Sequence, residues 1–484
     1  MKRYLGGILA SFLLVAAPLP AVADAIGPDQ AQSLTTQLRD WLREVVGPAA
    51  PLPDLTVTAE GDHYRLTVPI AGLDGPQKDV TAQLRPLDAG RWAATDIRLP
   101  ADTTLAAKLP PPKGENESAA VRLRVTIADQ HSHAEIDPTF AGPSTLVLGL
   151  RGIGVDSETA GRPQSQVFDA FDQTITLRPA AGNTLDIDQT GSADGWKSAQ
   201  EMPDGRGVAM GAKHLSSTTH VVGLDRARAA TLGPVLAALA AAPTPERNQR
   251  LRALVTALHG LLASLTVDET IEGMQVAVAG QGNATIDRLH LGFDSAAPDG
   301  NLDSKVSLGV EGLALPGLAP AEADLAPKHL KIGVSLAGIS ASALNDLALA
   351  ALQPGANPTT VAPQIDALFA DPGRTGGPRL GLDSLGFDVG PAQVDAHGSV
   401  VAISQSDVRG TARIAVTGFD ALTDRIRDDL QLQQALPFLI LARGMARSER
   451  STLIWDIVFT PEGLTVNGVD PRNLLQQPKR HPKP

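Results

Sequence analysis

Residues 120–130 read AVRLRVTIADQ, and their side chains alternate between apolar and polar. The apolar positions are Val121, Leu123, Val125 and Ile127, with Arg122, Arg124 and Thr126 between them. Successive side chains of a β-strand point to opposite faces, so this period of two predicts a strand with one buried and one solvated face. A sheet that is wetted on one face is typical of antiparallel structure.

The same alternation recurs along most of the chain. Leu55 and Val57 precede a turn at Gly61, and Tyr64 and Leu66 continue the pattern after it, which predicts a β-hairpin. Apolar residues at helical spacing predict one helix near the start of the chain, at Leu34, Leu38, Trp41, Leu42 and Val45. Further helices are predicted within 224–264, 342–373 and 419–447. We therefore expect an α+β fold dominated by long, curved antiparallel sheet and interrupted by two helical pairs.

Two distant segments share one pattern. VVGLD at 221–225 and VTGFD at 416–420 each end a strand with a glycine, an apolar residue and an aspartate at the expected helix N-cap. Each precedes two predicted helices and then a predicted hairpin with Glu-Gly, which is ETIEGMQVAVAG at 269–280 in one case and FTPEGLTVNG at 459–468 in the other. We interpret this as an internal duplication. The alternative is a pair of unrelated hairpins that share common turn chemistry.

The segment EGLTVNG and the helices before it resemble bacterial envelope proteins of the YdgA and AsmA-like kind, over roughly the last 200 residues. The resemblance implies a β-rich protein that faces the periplasm. Some AsmA-like proteins are linked to phospholipid movement or to envelope integrity, and the resemblance carries no catalytic residues to this chain.

The N-terminus predicts export. Lys2 and Arg3 precede an apolar run from residue 4 to 17, and a small-x-small site follows at Ala21-Val22-Ala23. We expect a signal peptide over 1–23, a β-rich unit over 24–265 that ends in a helical pair, a second β-rich unit over 266–475 with a helical pair and a final hairpin, and a disordered basic tail over 476–484. An uncleaved anchor is the weaker alternative, because the apolar run is shorter than the roughly 20 residues that span a bilayer.

Composition excludes several classes of function. The chain has no cysteine, so cysteine catalysis and cysteine-ligated metals are excluded. Its net charge of −12 disfavours a nucleic-acid partner, since such a surface repels a phosphate backbone. Only 3% of its residues are aromatic, which disfavours stacking platforms for bases or sugars. The tail QPKRHPKP, at 477–484, is basic and leaves peripheral contact with an anionic membrane open.

No residue pattern specifies a reaction. The chain lacks a Gly-x-Ser-x-Gly elbow, a phosphate-binding glycine loop and a His-Glu-x-x-His helix. His131 and His133 are the nearest approach to a metal site, but their segment is expected to be a polar turn. Asp186, Asp188 and Thr190 have the spacing of a calcium loop, which fails at Lys197, and the adjacent Asp428 and Asp429 are expected to be solvated.

We therefore predict no catalytic, cofactor-binding or metal-binding residues and no cofactor. The function expected is that of a non-catalytic periplasmic or envelope protein that binds or carries lipid or another apolar ligand. The alternative is a structural envelope protein that binds a protein partner and no ligand. An enzyme is a third hypothesis, which would need an activity that depends on His131 or His133.

Overall fold

The structure is a computed structural model. It describes residues 26–46, 54–70, 78–87, 91–109, 119–137, 143–159, 162–202, 205–241, 246–297, 300–318, 320–369, 377–404, 407–428 and 433–472. The predicted signal peptide and the basic tail lie outside these residues.

The fold is dominated by antiparallel β-structure, as predicted. Strands make up 59% and helices 25%, and the described residues contain 20 strands and eight α-helices. The chain divides into two compact units. Unit 1 comprises Met1–Ala242, Gly260–Leu262 and Glu269–Asn283, and unit 2 comprises Pro243–His259, Ala263–Asp268 and Ala284–Pro484.

The described residues of unit 1 contain two helices and ten strands that lie wholly within it. The helices are α1 (Pro28–Val46) and α2 (Arg226–Ala241). The strands are β1 (Thr56–Glu60), β2 (His63–Ile70), β3 (Lys78–Pro86), β4 (Trp92–Arg98), β5 (Asp102–Leu109), β6 (Ala119–Ile136), β7 (Pro143–Thr159), β8 (Arg162–Pro179), β9 (Thr184–Glu201) and β10 (Gly207–Asp225). Residues in β11 (Ser264–Val278) and β12 (Gly282–Ala296) belong partly to each unit.

Neighbours in sequence pair as antiparallel strands through most of unit 1. The pairs are β1 with β2, β2 with β3, β3 with β4, β4 and β5 each with β6, and then β6 through β10 in chain order. The first hairpin turns at Gly61, whose φ is +60°, as predicted. Residues 120–130 lie in β6, which confirms the strand predicted there.

Helix α1 covers one end of the inner face of this sheet. Leu34 and Leu38, on the predicted apolar face of α1, are buried. They pack in a cluster whose largest fully buried members are Trp92, Tyr64, Leu55 and Leu84, and the rings of Tyr64 and Trp92 lie 5.9 Å apart. The helix is also fixed by polar contacts, because the Val57 backbone N–H donates to the Thr35 hydroxyl at 3.1 Å.

A row of residues interrupts the alternation of the long strands of unit 1. The row, called the crease below, consists of Ala128 in β6, Gly152 in β7, Asp169 in β8, Gly195 in β9 and Lys213 in β10. The register of pairing is the same on both sides of the crease. Ile127 lies opposite Ile153 before it, and Asp129 lies opposite Arg151 after it.

The crease shifts the set of inward-facing side chains by one residue. In β7 the buried residues Leu148 and Leu150 are two positions apart, but the next buried residue beyond the crease is Ile153. Gly152 permits this step, since its φ is +57° and a Cβ atom on it would lie 2.8 Å from the Cβ of Ala128. The same face of the sheet therefore stays apolar on both sides of the crease.

In the part of unit 2 that the structure describes, six helices and eight strands lie wholly within the unit. The helices are α3 (Arg247–Leu258), α4 (Pro320–Leu325), α5 (Ala341–Ala351), α6 (Pro358–Phe369), α7 (Phe419–Asp428) and α8 (Leu436–Met445). The strands are β13 (Asn301–Glu311), β14 (His329–Ser340), β15 (Arg379–Val389), β16 (Ala392–Ala402), β17 (Val408–Thr417), β18 (Arg447–Glu449), β19 (Thr452–Thr460) and β20 (Gly463–Val466).

In unit 2 the strands from β12 to β17 pair in chain order, and β17, β18 and β20 each pair with β19. The core of the unit lies where α7 and α8 pack on these strands, around the buried residues Ala392, Val416, Phe419, Leu422, Ile426, Trp455 and Val466. The Trp455 indole N–H donates to the carbonyl of Ala442 at 2.9 Å, which ties α8 to the final hairpin.

The structure corrects part of the pattern on which the predicted duplication rests. The two expected helical pairs are present as α2 with α3 and α7 with α8, and α5 with α6 forms a third. The final hairpin turns between Thr460 and Gly463, as predicted. Gly273, however, lies within β11 and forms no hairpin turn. Its φ is +62°, and it lies against the side chain of Lys213 in β10, where a Cβ atom would not fit. The two Glu-Gly pairs are therefore not equivalent.

The sequence predicts that the strand-ending glycine at Gly223 recurs at Gly418 and, more faintly, at Gly338. The structure favours Gly338. The N–H of Gly223 donates to the carboxylate of Asp186 at 2.8 Å, and the N–H of Gly338 donates to that of Asp303 at the same distance. A register shift accompanies both. A Cβ atom at Gly418 would instead lie 2.3 Å from the carbonyl oxygen of Pro391. The junction at Gly223 thus recurs at Gly338.

Of the two aspartates predicted to be helix N-caps, Asp225 and Asp420, only the first has that role. Asp225 caps α2, since its carboxylate accepts from the N–H groups of Ala227 and Arg228 at 2.9 and 3.1 Å. Asp420 lies inside the first turn of α7, which begins at Phe419, and its carboxylate pairs with Arg443. The prediction of an N-cap at Asp420 is therefore wrong.

Candidate functional site

An apolar cavity of about 650 Å³ lies on the inner face of unit 1, beyond the part that α1 covers. Its floor continues the core of the unit. Leu148, Leu150 and Phe171 line it on one side of the crease, and Ile153 and Phe168 line it on the other. The cavity lies where the crease keeps apolar side chains on this face on both sides of it.

The size and lining of the cavity suit a small apolar ligand. Ligand pockets in proteins typically measure about 300–1,000 Å³ and are lined mainly by apolar side chains with a few polar groups. Val125, Val155 and Leu215 add to the apolar wall. Leu148, Leu150 and Ile153 are each less than one-tenth exposed, so the floor of the cavity is firmly packed.

Most of the polar side chains that line the cavity lie on one side of it, and Thr103 of β5, opposite Val125, lies on the other side. Gln173 of β8, Gly191 of β9 and Ser217 of β10 lie directly opposite one another in the strand pairing. This row, called the polar notch below, contains a glycine at its centre, so no side chain fills the space between Gln173 and Ser217. Gln189 lies two residues from Gly191 on the same strand, and Glu269 of β11 completes this side.

The next row toward the crease is apolar. It consists of Phe171, Ala193 and Leu215, which also lie opposite one another. A ligand that lies along the strands would therefore contact polar groups at the notch and mainly apolar groups from this row onward, with Thr103 as the polar exception. This order is that of an amphiphile with one head and one chain.

A second cavity, of about 950 Å³, lies at the far ends of the same strands. It is a weaker candidate, because its lining contains Arg122, Arg124, Asp156, Glu158 and Glu201, charged residues of both signs. Arg124 is already occupied, since its guanidinium donates to both carboxylate oxygens of Asp102 at 3.1 and 2.9 Å. Those hydrogen bonds hold the pKa of the Asp102 carboxyl below its usual value.

The two histidines singled out from the sequence are not in a turn. His131 and His133 lie within β6, so the expectation of a polar turn is wrong, and their side chains are exposed. The nearest acid to His131 is Asp172, whose carboxylate lies 4.0 Å from Nε2 and is paired with Arg151 at 2.9 Å. Within the described ranges, no cluster of three His, Asp or Glu side chains has the geometry to hold a metal ion.

The spacing that suggested a calcium loop belongs to a strand. Asp186, Asp188 and Thr190 lie in β9, where the carboxylate of Asp188 faces His220 and Arg178 and that of Asp186 accepts from Gly223. Asp428 is exposed at the end of α7, and Asp429 lies outside the described residues. The structure therefore brings none of the singled-out acids together.

The residues that form the cavity were missed by reading the sequence. Gln173, Gly191 and Ser217 are far apart in the chain and meet only through the register of three strands. One local signal was available. Residues 215–220 read LSSTTH, an unusual run of hydroxyl side chains inside a long strand. Among the described residues, none of the helices combines the length and the apolarity that crossing a bilayer requires.

No protein family, no curated protein and no solved structure matches the chain. The resemblance of its C-terminal part to YdgA and AsmA-like envelope proteins stays a prediction.

Proposed function

We propose that the protein is a non-catalytic binding protein of the bacterial periplasm, which holds one chain of a lipid or another elongated apolar ligand in the cavity of unit 1. The observation that carries this proposal is the apolar floor, which continues past the crease, beyond the part that α1 covers among the described residues of unit 1. Burial of apolar area is the main source of affinity in such a site, and each buried methylene contributes about 0.8 kcal/mol.

A matched pair of variants in β9 tests the cavity directly. Ala193 is buried and lines the cavity, whereas Thr190 is exposed and faces away from it. Ala193→Phe should fill the cavity and abolish binding of a fluorescent long-chain probe, and Thr190→Phe should leave binding unchanged. Equal binding by both variants, with thermal unfolding like that of the wild type, would refute a site at this place.

Chain length supplies an independent measurement. Each extension of a ligand by two methylenes should tighten binding by roughly tenfold, because about 1.6 kcal/mol is gained each time. The gain should stop when the chain is longer than the cavity. An affinity that does not depend on chain length would contradict the proposal. So would native mass spectrometry and lipid extraction that find no bound lipid in protein purified from the periplasm.

The proposed location rests on the N-terminal segment, which lies outside the described residues. We propose export with cleavage before Asp24. N-terminal sequencing of protein from the periplasmic fraction of a bacterial host should give Asp-Ala-Ile-Gly as the first residues. Protein that retains Met1 in the membrane fraction would instead indicate an uncleaved anchor.

A second candidate function, binding of a protein partner, is favoured by the outer face of α8. The side chains of Phe438 and Ile440 are 75% and 66% exposed, and Leu441 beside them is about half exposed. Apolar residues clustered in this way are typical of interaction surfaces. The arginines beside them are already paired, as Arg443 is with Asp420 and Arg427 with Asp424, which favours a protein partner over an anionic membrane.

The double variant Phe438→Ser/Ile440→Ser tests this second function. It should abolish recovery of a stoichiometric partner from an envelope extract and leave binding of the long-chain probe intact. Phe419→Ser is not a suitable control, because Phe419 is buried against Trp455. Leu464→Ser, which alters an exposed apolar residue of β20, is the better one. A partner retained by the double variant would exclude this face as the docking surface.

A further inference from the structure

We infer that the polar notch selects the head of the ligand, and that the ligand is an uncharged single-chain amphiphile with hydroxyl groups on its head, such as a monoacylglycerol. This inference rests on the proposed function, because it assigns a headgroup to the same cavity. It depends on three observations about the polar side of that cavity.

The first observation is that the polar side chains of the notch, and that of Gln189 beside it, are unpartnered. Within the described part of the chain, the side chains of Gln173, Gln189 and Ser217 make no hydrogen bond, and each is only partly exposed. A polar group that a ligand covers must find a hydrogen-bond partner, because burying it without one is costly. Three unpaired groups around one space therefore favour a bound molecule that has polar groups of its own.

A glutamine elsewhere on the inner face of unit 1 shows the contrast. Gln130 of β6 is buried, and both ends of its amide are engaged by one residue. Its Oε1 accepts from the N–H of Leu99 at 2.8 Å, and its Nε2 donates to the carbonyl of Leu99 at 2.7 Å. The unit thus satisfies a glutamine that serves the fold, whereas Gln173 and Gln189 are left available.

The second observation is the space between them. A Cβ atom at Gly191 would lie 3.1 Å from the Ser217 hydroxyl, so any larger side chain at this position would occupy the notch. Amide and hydroxyl groups each donate and accept hydrogen bonds. Two amides and one hydroxyl therefore match a head with several hydroxyl groups, which also donates and accepts.

The third observation is the charge of the rim. Glu269 is exposed at the cavity and has no ion pair among the described residues, and no lysine or arginine lines the cavity within that part of the chain. A carboxylate or phosphate head would be repelled by Glu269 and would find no cation to pair with, and taking an unpaired charge out of water is costly. A fatty acid or a phosphorylated lipid is therefore disfavoured.

Competition between ligands of equal chain length tests this inference. Monopalmitoylglycerol, palmitate and hexadecylamine share one chain and differ in the charge of the head. With wild-type protein, the neutral glyceride should displace the fluorescent probe at a concentration at least tenfold lower than palmitate. Palmitate that binds as tightly as the glyceride would overturn the inference. Preference for hexadecylamine would overturn it as well, by showing that Glu269 selects a cation.

Variants at the polar side of the cavity separate the contribution of the ligand's head to binding from that of its chain. Gln173→Leu/Gln189→Leu should weaken binding of the glyceride by about tenfold or more, because two hydrogen bonds are lost, and should not weaken binding of palmitate. Gln166→Leu, on β8 outside the cavity lining, is the control and should change neither. Glu269→Lys should tighten palmitate binding. A double variant that binds the glyceride like the wild type would overturn the inference.

These outcomes distinguish the inference from the proposed function. If Ala193→Phe abolishes binding of the probe but the three heads bind alike, the cavity holds a chain without selecting its head. If none of the three amphiphiles nor the probe binds to wild-type protein, the proposed function itself is refuted.

Discussion

At the scale of single residues, a few positions fix the geometry of unit 1 by having no side chain. Gly152 is the clearest of them, because it combines a positive φ with a close approach to Ala128 in the neighbouring strand. An alanine has no rotamer that would move its Cβ away from such a contact. Overlap at this point must be relieved by the backbone of the crease.

Gly152→Ala should therefore destabilise the protein by about 2–3 kcal/mol, through a left-handed backbone that disfavours Cβ and through the overlap itself. Gly182→Ala is the control, because its φ of +73° is similar but nothing lies within 4 Å of the added Cβ. It should cost only about 1–2 kcal/mol. Adding Ala128→Gly to Gly152→Ala should recover part of the loss in a double-mutant cycle. Strict additivity would contradict the steric explanation.

Asp388 makes the stability of unit 2 depend on pH. Partial burial alone would raise the pKa of its carboxyl, but hydrogen bonds from the N–H groups of His329 and Lys328 outweigh burial and hold that pKa below its usual value of 3.8. These bonds measure 2.7 and 3.4 Å. Because the pKa is lower in the folded than in the unfolded state, the stabilisation is present above 3.8 and is lost as the pH falls through the folded pKa.

Asp388→Ala should consequently lower the free energy of unfolding by about 1–2 kcal/mol at neutral pH, since hydrogen bonds to a charged group are lost. The difference from wild type should vanish well below pH 3.8, where both states are protonated. Asp395→Ala, an exposed aspartate of β16, should have little effect at either pH. Urea denaturation across the pH range measures all three proteins, and a difference that persists in acid would contradict this account.

At the scale of elements, local periodicity predicts single helices, hairpins and strands but not the contacts between distant strands. Helix α1, the Gly61 hairpin and β6 follow from local periodicity, which is visible in one stretch of chain. Gly273 was misplaced because a glycine with positive φ serves equally well in a turn and in a crease, and only the pairing of β10 with its neighbours decides between them. The polar notch depends on the register of three strands, which periodicity alone does not determine.

The corrected junctions make a testable distinction between two aspartates of similar sequence context. Asp225→Ala should destabilise α2 by about 1 kcal/mol, because an N-cap is lost, and should speed amide exchange at Ala227 and Arg228. Asp420→Ala removes only an exposed ion pair with Arg443, so its effect should be under about 1 kcal/mol. If the two substitutions speeded amide exchange equally in α2 and α7, this distinction would be wrong, and the predicted equivalence of the junctions at Gly223 and Gly418 would be supported.

At the scale of the whole molecule, the chain consists of two compact units, each with its own core, and the cavity belongs to unit 1 alone. A ligand that binds only the folded state stabilises what it contacts, by an amount set by its concentration relative to Kd. Stabilisation should therefore be local to the unit that holds the ligand.

Hydrogen exchange with and without the bound glyceride should show slower exchange in β6 through β10 and no change in β15 through β17. The reason is that all described residues lining the cavity lie in unit 1. Ala193→Phe supplies the control, because it should abolish the protection. Protection concentrated in unit 2 would place the ligand elsewhere.

The crease has a consequence for how sequences of this kind can diverge. If a strand gained or lost one residue between the crease and its turn, its apolar side chains would point outward over that entire stretch. The side chains of the neighbouring strands would still point inward. The inward-facing residues can be substituted as long as they stay aliphatic or small. The length of each strand, in contrast, must match that of its neighbours. Natural insertions should therefore occur in the turns, or as matched additions to two adjacent strands.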